Sequence, residues 1–440
     1  MNVSKSSPKV DPTTDPKLRA FFHVAEDSPF SVQNLPYGVF RKKEDTLRTA
    51  RIGVAIGDKV LDLAALDAFG QFTGPNLKGK KVFSAQSLNA FIAMGRPAWR
   101  EARLTISALL TSPDSELRND TFLQQRALID MTACEMMLPV EVGDYTDFYA
   151  SRHHATNVGT MLRGAENALN PNWLHLPVGY HGRSSSVVLS GADIVRPCGQ
   201  IVPPGSETPI FAPSRSLDYE LEVGIVVGPG NALGEPVPVE RAVGQVFGMV
   251  LLNDWSARDI QKWEYQPLGP FLGKNFATTI SPWVVPIDAL IPFCCAGPEQ
   301  DPEPLPYLQT RGKASFDIHL EAHLYPHDGS DALLACATNY NHLYWNVAQM
   351  IAHHTSNGCN LRAGDLLGTG TVSGPEKESR GCLLERTWKG EEPLELSSGA
   401  KRTYLEDGDL LTLTGWCQGE GYRVGFGECA GRILPARISH

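Results

Sequence analysis

The acidic residues between Leu217 and Val226 form the pattern in this sequence that most directly suggests chemistry. In an extended strand alternate residues share a face, so Asp218, Glu220 and Glu222 of the segment LDYELEVGIV point the same way. Three carboxylates in one row repel each other unless a positive charge lies among them. Two interpretations stay open: a water-exposed face of an antiparallel strand, or a site for a hard cation that takes oxygen ligands, such as Mg²⁺ or Ca²⁺.

A second group of polar side chains strengthens the cation interpretation. Asp144 and Asp147 lie just before Tyr149, His153 and His154. A histidine can act as a general base near neutral pH, and a divalent cation beside it would supply the electrophilic pole that such a base needs. Ordinary packing also accounts for a pair of adjacent histidines.

A third group follows an apolar strand that ends at Asn253 and Asp254. Either residue can cap the following helix, and Arg258 and Gln261 then lie about one and two turns further on the same face as Asp254. Lys274, between two turn residues, adds a cation. A capping aspartate with a salt-bridged arginine is the purely structural alternative.

Other familiar catalytic patterns are missing from the sequence. The glycine-rich stretches GTGTVSGPE and GPGNALG have the spacing G-x-G-x-x-x-G, which matches neither a dinucleotide fold nor a P-loop, and we interpret both as turns. The sequence has no G-x-S-x-G and no H-E-x-x-H motif. In SFDIHLEAHLY, polar residues 317, 319, 321 and 323 alternate cleanly with apolar ones, which predicts a solvent-facing strand and no metal site.

Composition and charge limit the remaining possibilities. The chain has 440 residues and a formal net charge of -10, so it lacks the broad positive field that collects nucleic acid. We find no apolar run long enough to span a membrane and no signal-peptide core. Nine sparse cysteines without a C-x-x-C pair are typical of reduced thiols. We therefore expect a cytoplasmic protein with a small-molecule ligand, bound neither to nucleic acid nor to membrane.

The elements that must position these side chains are mainly β. Residues 1–20 are predicted to be a mobile leader, residues 21–139 a small β domain with helices, and residues 140–440 a strand-rich domain. Two β-branched runs on either side of Gly57 and Asp58 predict a hairpin, and 87–110 and 116–129 have helical spacing. In the second domain, helices are predicted at 255–263 and 341–354.

Three stretches together resemble the fumarylacetoacetate hydrolase family: DYTDFYASRHHATNVG, LDYELEVGIVVGPGNALGEP and GMVLLNDWSARDIQKWEYQPLGPFLGK. Three further segments, PNWLHLPVGYHGRSSS, GCNLRAGDLLGTGTVSGPE and CQGEGYRVGFGECAG, extend the resemblance over nearly all of residues 140–435. The resemblance implies a small Src-homology-3-like N-terminal β-barrel, a large mixed β-roll catalytic domain, and a homodimer. It also implies hydrolysis of 4-fumarylacetoacetate to fumarate and acetoacetate, the last step of tyrosine and phenylalanine breakdown.

The family resemblance further implies a set of site residues. Those at metal positions, for Ca²⁺ and/or Mg²⁺, are Asp147, Glu220, Glu222, Asp254, Lys274 and Thr278. Those at catalytic positions are the base His154, its carboxylate partner Glu385, and Arg258, Gln261 and Lys274 around the developing negative charge. Those at substrate-binding positions are Tyr149, Arg163, Tyr180, Gln261, Tyr265 and Thr371. Asp144 and Asp218 fall outside these positions.

These residue types suit the hydrolysis of a carbon–carbon bond between two carbonyl groups. The reaction needs a water nucleophile, a base to deprotonate it, and a sink for the departing carbanion. Two alternatives are a superfamily relative that hydrates or decarboxylates short 2-oxo acids, and a non-catalytic calcium-binding protein. The pairing of His154 with Glu385 and the N-terminal domain favour the hydrolase over the first, and His154, Arg258 and Lys274 have no purpose in the second.

Overall fold

The structure is a computed structural model that describes residues 11–437. The predicted leader lies outside the described residues over 1–10, and in its remaining part Thr13 and Thr14 are buried. Asp11 accepts a bond from Arg100 at 2.7 Å, and the buried Thr13 hydroxyl accepts one from Nε of Arg103 at 2.8 Å. These two polar side chains thus find partners on a helix that is distant in sequence, and the mobile leader over 1–20 stays a prediction.

The first part of the chain combines a small sheet with short helices. Its elements are β1 (Tyr37–Lys42), β2 (Arg51–Ile56), β3 (Lys59–Asp62), α1 (Leu63–Ala68), α2 (Asn89–Ile92), α3 (Arg96–Thr111), α4 (Glu116–Asn119), α5 (Thr121–Ala127), β4 (Leu128–Asp130) and β5 (Cys134–Met137). The predicted hairpin is confirmed as β2 and β3, with Gly57 at a positive φ of 59°. The predicted helical region 87–110 divides at Gly95, where φ is 77°.

The five strands form an antiparallel sheet in the order β4-β3-β2-β1-β5. Its edge strands β4 and β5 are joined only by the turn Met131–Ala133, which spans about 14 Å at most. Flat, those edges would be about 19 Å apart. The sheet is therefore rolled, as a small barrel requires, while its likeness to the Src-homology-3 fold stays a prediction.

The second part of the chain is dominated by strands. Its helices are α6 (Arg152–Arg163), α7 (Val239–Ala242), α8 (Arg258–Glu264), α9 (Ile287–Leu290), α10 (Val347–Thr355) and α11 (Leu383–Arg386). Its strands are β6 (Tyr145–Phe148), β7 (Gly179–His181), β8 (Val187–Leu189), β9 (Asp193–Val195), β10 (Cys198–Ile201), β11 (Ile210–Pro213), β12 (Leu217–Asp218), β13 (Leu221–Val227), β14 (Val246–Asp254), β15 (Ser256–Ala257), β16 (Thr278–Ile280), β17 (Val285–Pro286), β18 (Cys294–Cys295), β19 (Ser315–Phe316), β20 (His319–Tyr325), β21 (Leu333–Asn339), β22 (Leu366–Gly368), β23 (Leu394–Glu395), β24 (Lys401–Arg402), β25 (Leu410–Gly419) and β26 (Tyr422–Leu434).

Two mixed sheets organise these strands and confirm the prediction of a mainly β chain. The larger has the order β7-β6-β22-β13-β14-β16-β8, with β17 also paired to β14. The other has the order β21-β20-β25-β26-β9. Most neighbours are antiparallel, but β6 with β22, β8 with β16 and β9 with β26 are parallel. Strands from distant parts of the sequence thus lie side by side.

The larger sheet is covered on both faces. Val223 and Leu251 belong to the main core of the second domain, whereas Val226 and Val250 pack into the core built around the N-terminal helices and Trp99. Every residue of β13 and β14 is buried. Polar side chains on these strands therefore face protein and not bulk water.

The two helices predicted in the second domain exist with shifted starts. β14 continues to Asp254, and the chain forms the short β15 before α8 begins at Arg258 with Ala257 at its N-cap, so neither Asn253 nor Asp254 caps it. The helix predicted over 341–354 is observed as α10, starting at Val347 after an Asn346 capping box. Within residues 11–437 no helix is long and apolar enough to cross a membrane.

Candidate active site

Four buried carboxylates converge at one end of the larger sheet. Asp147 lies on β6, Glu222 on β13 and Asp254 at the end of β14, while Glu220 lies in the link between β12 and β13. One oxygen from each lies within 4.8 Å of the others. The register explains the meeting, because Gly368 of β22 lies opposite Asp147 on one side and is paired with β13 on the other.

Lys274 supplies a buried positive charge to this cluster. Its Nζ lies 2.7 Å from Oε2 of Glu220 and 2.6 Å from Oδ2 of Asp254. Burial lowers the pKa of Lys274, but these carboxylates outweigh burial and the pKa is raised. The Thr278 hydroxyl donates to Oδ1 of Asp254 at 3.2 Å.

The carboxylates that Lys274 does not contact, Asp147 and Glu222, leave negative charge that a divalent cation would balance. Oδ1 of Asp147 and Oε1 of Glu222 are buried without a hydrogen-bond partner among the described residues. Burial, with the charges of neighbouring carboxylates, raises the pKa of both acids well above the ordinary range. A Cβ on Gly368 would lie 2.5 Å from Oδ1 of Asp147 and 2.9 Å from Oε2 of Glu222, so this glycine leaves the space open. An oxygen-only donor set of this kind forms a possible site for a hard metal ion.

A histidine–carboxylate pair lies near enough to the cluster for the charge of His154 to act on Glu220. His154 is in the first turn of α6, whose N-cap Ser151 accepts a bond from the His154 backbone N–H at 3.2 Å. Nδ1 of His154 lies 2.5 Å from Oε2 of Glu385, and both side chains are buried. A histidine that donates through Nδ1 keeps Nε2 available to accept a proton.

Glu385 is held by several donors besides His154. Oε1 accepts from Asn157 at 2.8 Å, and Oε2 accepts from the Ser373 hydroxyl at 2.9 Å and the Cys382 thiol at 3.2 Å. Burial opposes ionisation of Glu385, but the charge of His154 and these hydrogen bonds prevail and lower its pKa to about 2. Burial and the neighbouring Glu385 raise the pKa of the Cys382 thiol well above its ordinary value, so His154, Cys382 and Glu385 form a hydrogen-bonded network.

Arg258 is bonded to the carboxylate cluster through Glu220. Its Nη1 donates to Oε1 of Glu220 at 2.6 Å and to Oε1 of Gln261 at 3.3 Å, and its Nε donates to Oδ2 of Asp218 at 2.9 Å. Its Nη2 is buried without a hydrogen-bond partner among the described residues. The guanidinium group therefore has one donor nitrogen left for a ligand.

The residues predicted to bind substrate differ in their burial and in their contacts with the site. The Tyr149 ring meets the His154 ring edge-on at 5.2 Å, and the Tyr180 hydroxyl donates to Oδ2 of Asp254 at 3.0 Å. Thr371 is buried in the segment after β22, and no described group bonds its hydroxyl. Tyr265 follows α8 and is half-buried.

Arg163 is a predicted substrate residue whose side chain bonds to its own neighbourhood in the chain. It ends α6 and is exposed, and its side chain donates to the backbone carbonyls of Asn167 at 3.1 Å and Ala168 at 2.6 Å. Its charge still acts on Tyr149, opposing the rise in the pKa of that phenol that burial and the nearby Glu385 cause.

The interpretation of 218, 220 and 222 as one row is wrong for Asp218. The strand is interrupted at Tyr219 and Glu220, between β12 and β13, so the alternation of side chains does not continue through them. Asp218 faces Arg258 and not the metal cluster. Asp144 is exposed and pairs with Arg362.

Sequence reasoning missed the residues that hold Glu385. Asn157 follows His154 by three residues on α6, so helical spacing alone could have indicated that it shares the face of the base. Ser373 and Cys382 have no such signal, since only the folded chain brings them to the Glu385 carboxylate.

A buried histidine–glutamate pair and a cluster of four carboxylates that could hold a metal ion, on a mainly β fold, are typical of a hydrolytic enzyme. Two family models match the chain: "Fumarylacetoacetase N-terminal" over residues 33–139 and "Fumarylacetoacetate (FAA) hydrolase C-terminal" over residues 144–434. Together they span most of the chain.

Curated relatives give the same result. The chain is 56% identical over 418 residues to a fumarylacetoacetase of Bos taurus and 55% identical over 420 residues to one of Homo sapiens, in each case over 95% of this chain and 99% of the relative. A solved structure of a fumarylacetoacetate hydrolase from Exiguobacterium antarcticum is 19% identical, with a TM-score of 0.51, over 92% of this chain and 100% of that one, and supports the fold. The chain belongs to the fumarylacetoacetate hydrolase family.

Proposed function

We propose that the protein hydrolyses the carbon–carbon bond of 4-fumarylacetoacetate to fumarate and acetoacetate, the last step of tyrosine and phenylalanine breakdown. The observation that carries the proposal is the 2.5 Å contact of His154 with Glu385 beside the carboxylate cluster. The curated relatives that match over 95% of the chain are named fumarylacetoacetases, which supports the substrate.

Metal binding is the first part of the mechanism. Asp147, Glu220, Glu222 and Asp254 would hold Ca²⁺ or Mg²⁺, with Lys274 and Thr278 beside them. When bound, a divalent cation supplies positive charge that stabilises negative charge on the substrate oxygens. The choice between Ca²⁺ and Mg²⁺ rests on cavity size and ligand flexibility, because both ions take oxygen ligands.

Water activation falls to the buried histidine. His154 would take a proton from water through Nε2, while Glu385 holds Nδ1–H and stabilises the imidazolium that forms. The water oxygen bonds to the attacked carbonyl carbon. The bond between this carbon and the acetoacetate carbon then breaks, and its electron pair leaves with acetoacetate, which is finally protonated. The proton that His154 took from water is the one that acetoacetate receives, and the second water proton leaves when the new carboxyl group of fumarate ionises.

Charge stabilisation at the attacked carbonyl would come from Arg258, Gln261 and Lys274. The unpartnered Nη2 of Arg258 is a buried donor of the kind that an oxyanion needs. One preorganised donor is typically worth about 3–4 kcal/mol in the transition state. Tyr149, Arg163, Tyr180, Gln261, Tyr265 and Thr371 are proposed to contact the substrate.

We also propose that the protein acts as a cytoplasmic homodimer, as the family resemblance implies. Several large apolar side chains near α8 are exposed, including Trp263, Leu268 and Phe271, and an exposed apolar patch is typical of an interaction surface. Sedimentation analysis tests the assembly. A monomer at micromolar concentration would contradict it.

The assay that tests the function uses purified protein and fumarylacetoacetate. Loss of substrate absorbance should accompany the appearance of fumarate, and exhaustive chelation should stop turnover until Ca²⁺ or Mg²⁺ is restored. Turnover that survives complete metal removal would contradict the mechanism. Activity only on a simpler 2-oxo acid, as hydratase or decarboxylase, would contradict the substrate, and cation binding without any turnover would indicate a non-catalytic role.

A further inference from the structure

The buried carboxylate of Asp218 joins two parts of the active site that are far apart in the sequence. Oδ2 accepts bonds from Nε of Arg258 at 2.9 Å and from the backbone N–H of Leu384 at 3.0 Å. Oδ1 accepts bonds from the backbone N–H groups of Leu383 at 2.7 Å and Tyr219 at 2.9 Å. Asp218 is fully buried, so both oxygens are committed to these donors.

The first of these connections fixes the backbone that carries Glu385. α11 begins at Leu383, and the side chain of its N-cap Cys382 makes no capping bond. Asp218 accepts the amide hydrogens of the first two helical residues in its place. Glu385 follows in the same turn, so the anchor at Asp218 sets where its carboxylate meets His154.

The second connection fixes the plane of Arg258. A guanidinium group has donors in a rigid, planar fork. Here Nε is held by Asp218 and Nη1 by Glu220, at 2.9 and 2.6 Å. With two corners of the fork fixed, the direction of the unpartnered Nη2 is determined.

We propose that Asp218 is a positioning residue for the hydrolysis. It aligns Arg258 toward the attacked carbonyl and sets Glu385 behind His154, while among the described residues its own oxygens bond Arg258 and backbone N–H groups alone. The inference rests on the proposed function, since it concerns residues that act in that reaction. The inference gives Asp218 a role in that reaction, as the carboxylate that links Arg258 to the helix carrying Glu385, the partner of His154.

The Asp218→Asn substitution tests this role while preserving size. The amide nitrogen cannot accept a hydrogen bond, so one α11 amide loses its acceptor in either orientation of the asparagine, and Arg258 loses its acceptor as well when the nitrogen replaces Oδ2. We expect kcat to fall about tenfold or more, because a misplacement of about 1 Å can cost 10²-fold, with a smaller change in KM. Asp144→Asn, which neutralises an exposed carboxylate paired with Arg362, is the matched control and should change kcat less than about twofold.

A double-mutant cycle separates positioning from general damage. In an Arg258→Met background, Asp218→Asn should cost a smaller factor in kcat than in the wild type, since the group it aligns is absent. An equal loss in both backgrounds, or no loss in the wild type, would overturn the proposal. If Asp218→Asn does not fold, Arg258→Lys replaces it in the test, because lysine retains the positive charge but lacks the planar guanidinium group that Asp218 aligns. Full activity of Arg258→Lys would overturn the proposal.

A spectroscopic measurement keeps this test independent of the proposed function. The His154 Nδ1 proton, bonded to Glu385, should give a downfield proton resonance that His154→Ala removes. Asp218→Asn should shift or broaden this resonance, and Asp144→Asn should leave it unchanged. If the wild type does not turn over fumarylacetoacetate but Asp218→Asn alters the resonance, the proposed substrate is rejected and the positioning role is supported. If Asp218→Asn changes neither the resonance nor kcat, the positioning role is rejected.

Discussion

Nδ1 of His154 lies 2.5 Å from Oε2 of Glu385, although 231 positions separate the two residues in the sequence. Both side chains are buried, and Asn157, Ser373 and Cys382 also bond the carboxylate. The pair is thus buried and held by several hydrogen bonds, as a base with a fixed tautomer requires.

The first prediction separates the two adjacent histidines. His154 is buried against Glu385, whereas His153 is half-buried and its ring lies 6.3 Å from that of His342. We expect His154→Ala to lower kcat by about 10²-fold or more, and His153→Ala to retain most of the activity. Steady-state turnover of fumarylacetoacetate measures both. Loss of activity in His153→Ala alone would reverse the assignment of the base.

The second prediction concerns Glu385 and pH. Its pKa is lowered from 4.5 to about 2, because the charge and hydrogen bond of His154 outweigh burial. A carboxylate with a lowered folded-state pKa stabilises the fold above about pH 4.5, and this contribution is lost as pH falls toward about 2. The difference in unfolding free energy between wild type and Glu385→Gln should therefore shrink over that window.

Urea unfolding at several pH values measures this difference. A gap that stays constant from about pH 5 to about pH 3 would contradict the lowered pKa. At neutral pH the same substitution should reduce kcat by about 10²–10⁴-fold, since the neutral amide does not stabilise the imidazolium.

The third prediction concerns metal and Glu222. Saturating Ca²⁺ or Mg²⁺ should raise Tm, with a gain of about 2.7 kcal/mol at 100 times Kd. Glu222→Gln should remove most of this gain and yet raise the Tm of the metal-free protein, because it relieves repulsion among buried carboxylates. Exposed Glu391→Gln is the control and should retain the metal response. A full metal response in Glu222→Gln would place the ion elsewhere.

The fourth prediction compares two lysines. Lys274 is buried between Glu220 and Asp254, so Lys274→Met should destabilise the protein by about 3–5 kcal/mol by leaving buried charge unpaired. Lys377, exposed and paired with Glu392, should tolerate the same change to methionine almost without effect. Denaturant unfolding in excess Mg²⁺ measures both. Equal losses of unfolding free energy in the two variants would mean that burial of Lys274 does not increase its contribution to stability.

Much of the site follows from sequence, because its chemistry is carried by residue type and by the order of matching segments. The acidic segment at 220–222, Asp147, Asp254 and the histidine pair were all recognisable before any fold was known. The hairpin around Gly57 was equally predictable, since a positive φ favours glycine at such turns. The boundary between domains at residues 139 and 140 stays a prediction.

Other parts of the site needed the folded chain. The contacts of Ser373 and Cys382 with Glu385 have no local pattern, and Asp218 left the acidic row because the strand is interrupted after it. Helix α8 likewise starts later than predicted, since the short β15 takes up the residues after Asp254.

Two segments of alternating polar and apolar residues show how far the sequence pattern predicts the structure. The strand at 319–325 and the segment at 217–226 both alternate polar with apolar residues, with two histidines and one glutamate in the first and three carboxylates in the second. In the first, His319 is exposed and Glu321 and His323 are half-buried, as predicted; in the second, Glu220 and Glu222 are fully enclosed. The alternation predicts a polar and an apolar face for each segment, and it holds through β20 but is interrupted at Tyr219 and Glu220. What covers the polar side chains does not follow from the alternation, because pairing with β22 and β14 and packing against the N-terminal domain depend on contacts between distant parts of the chain.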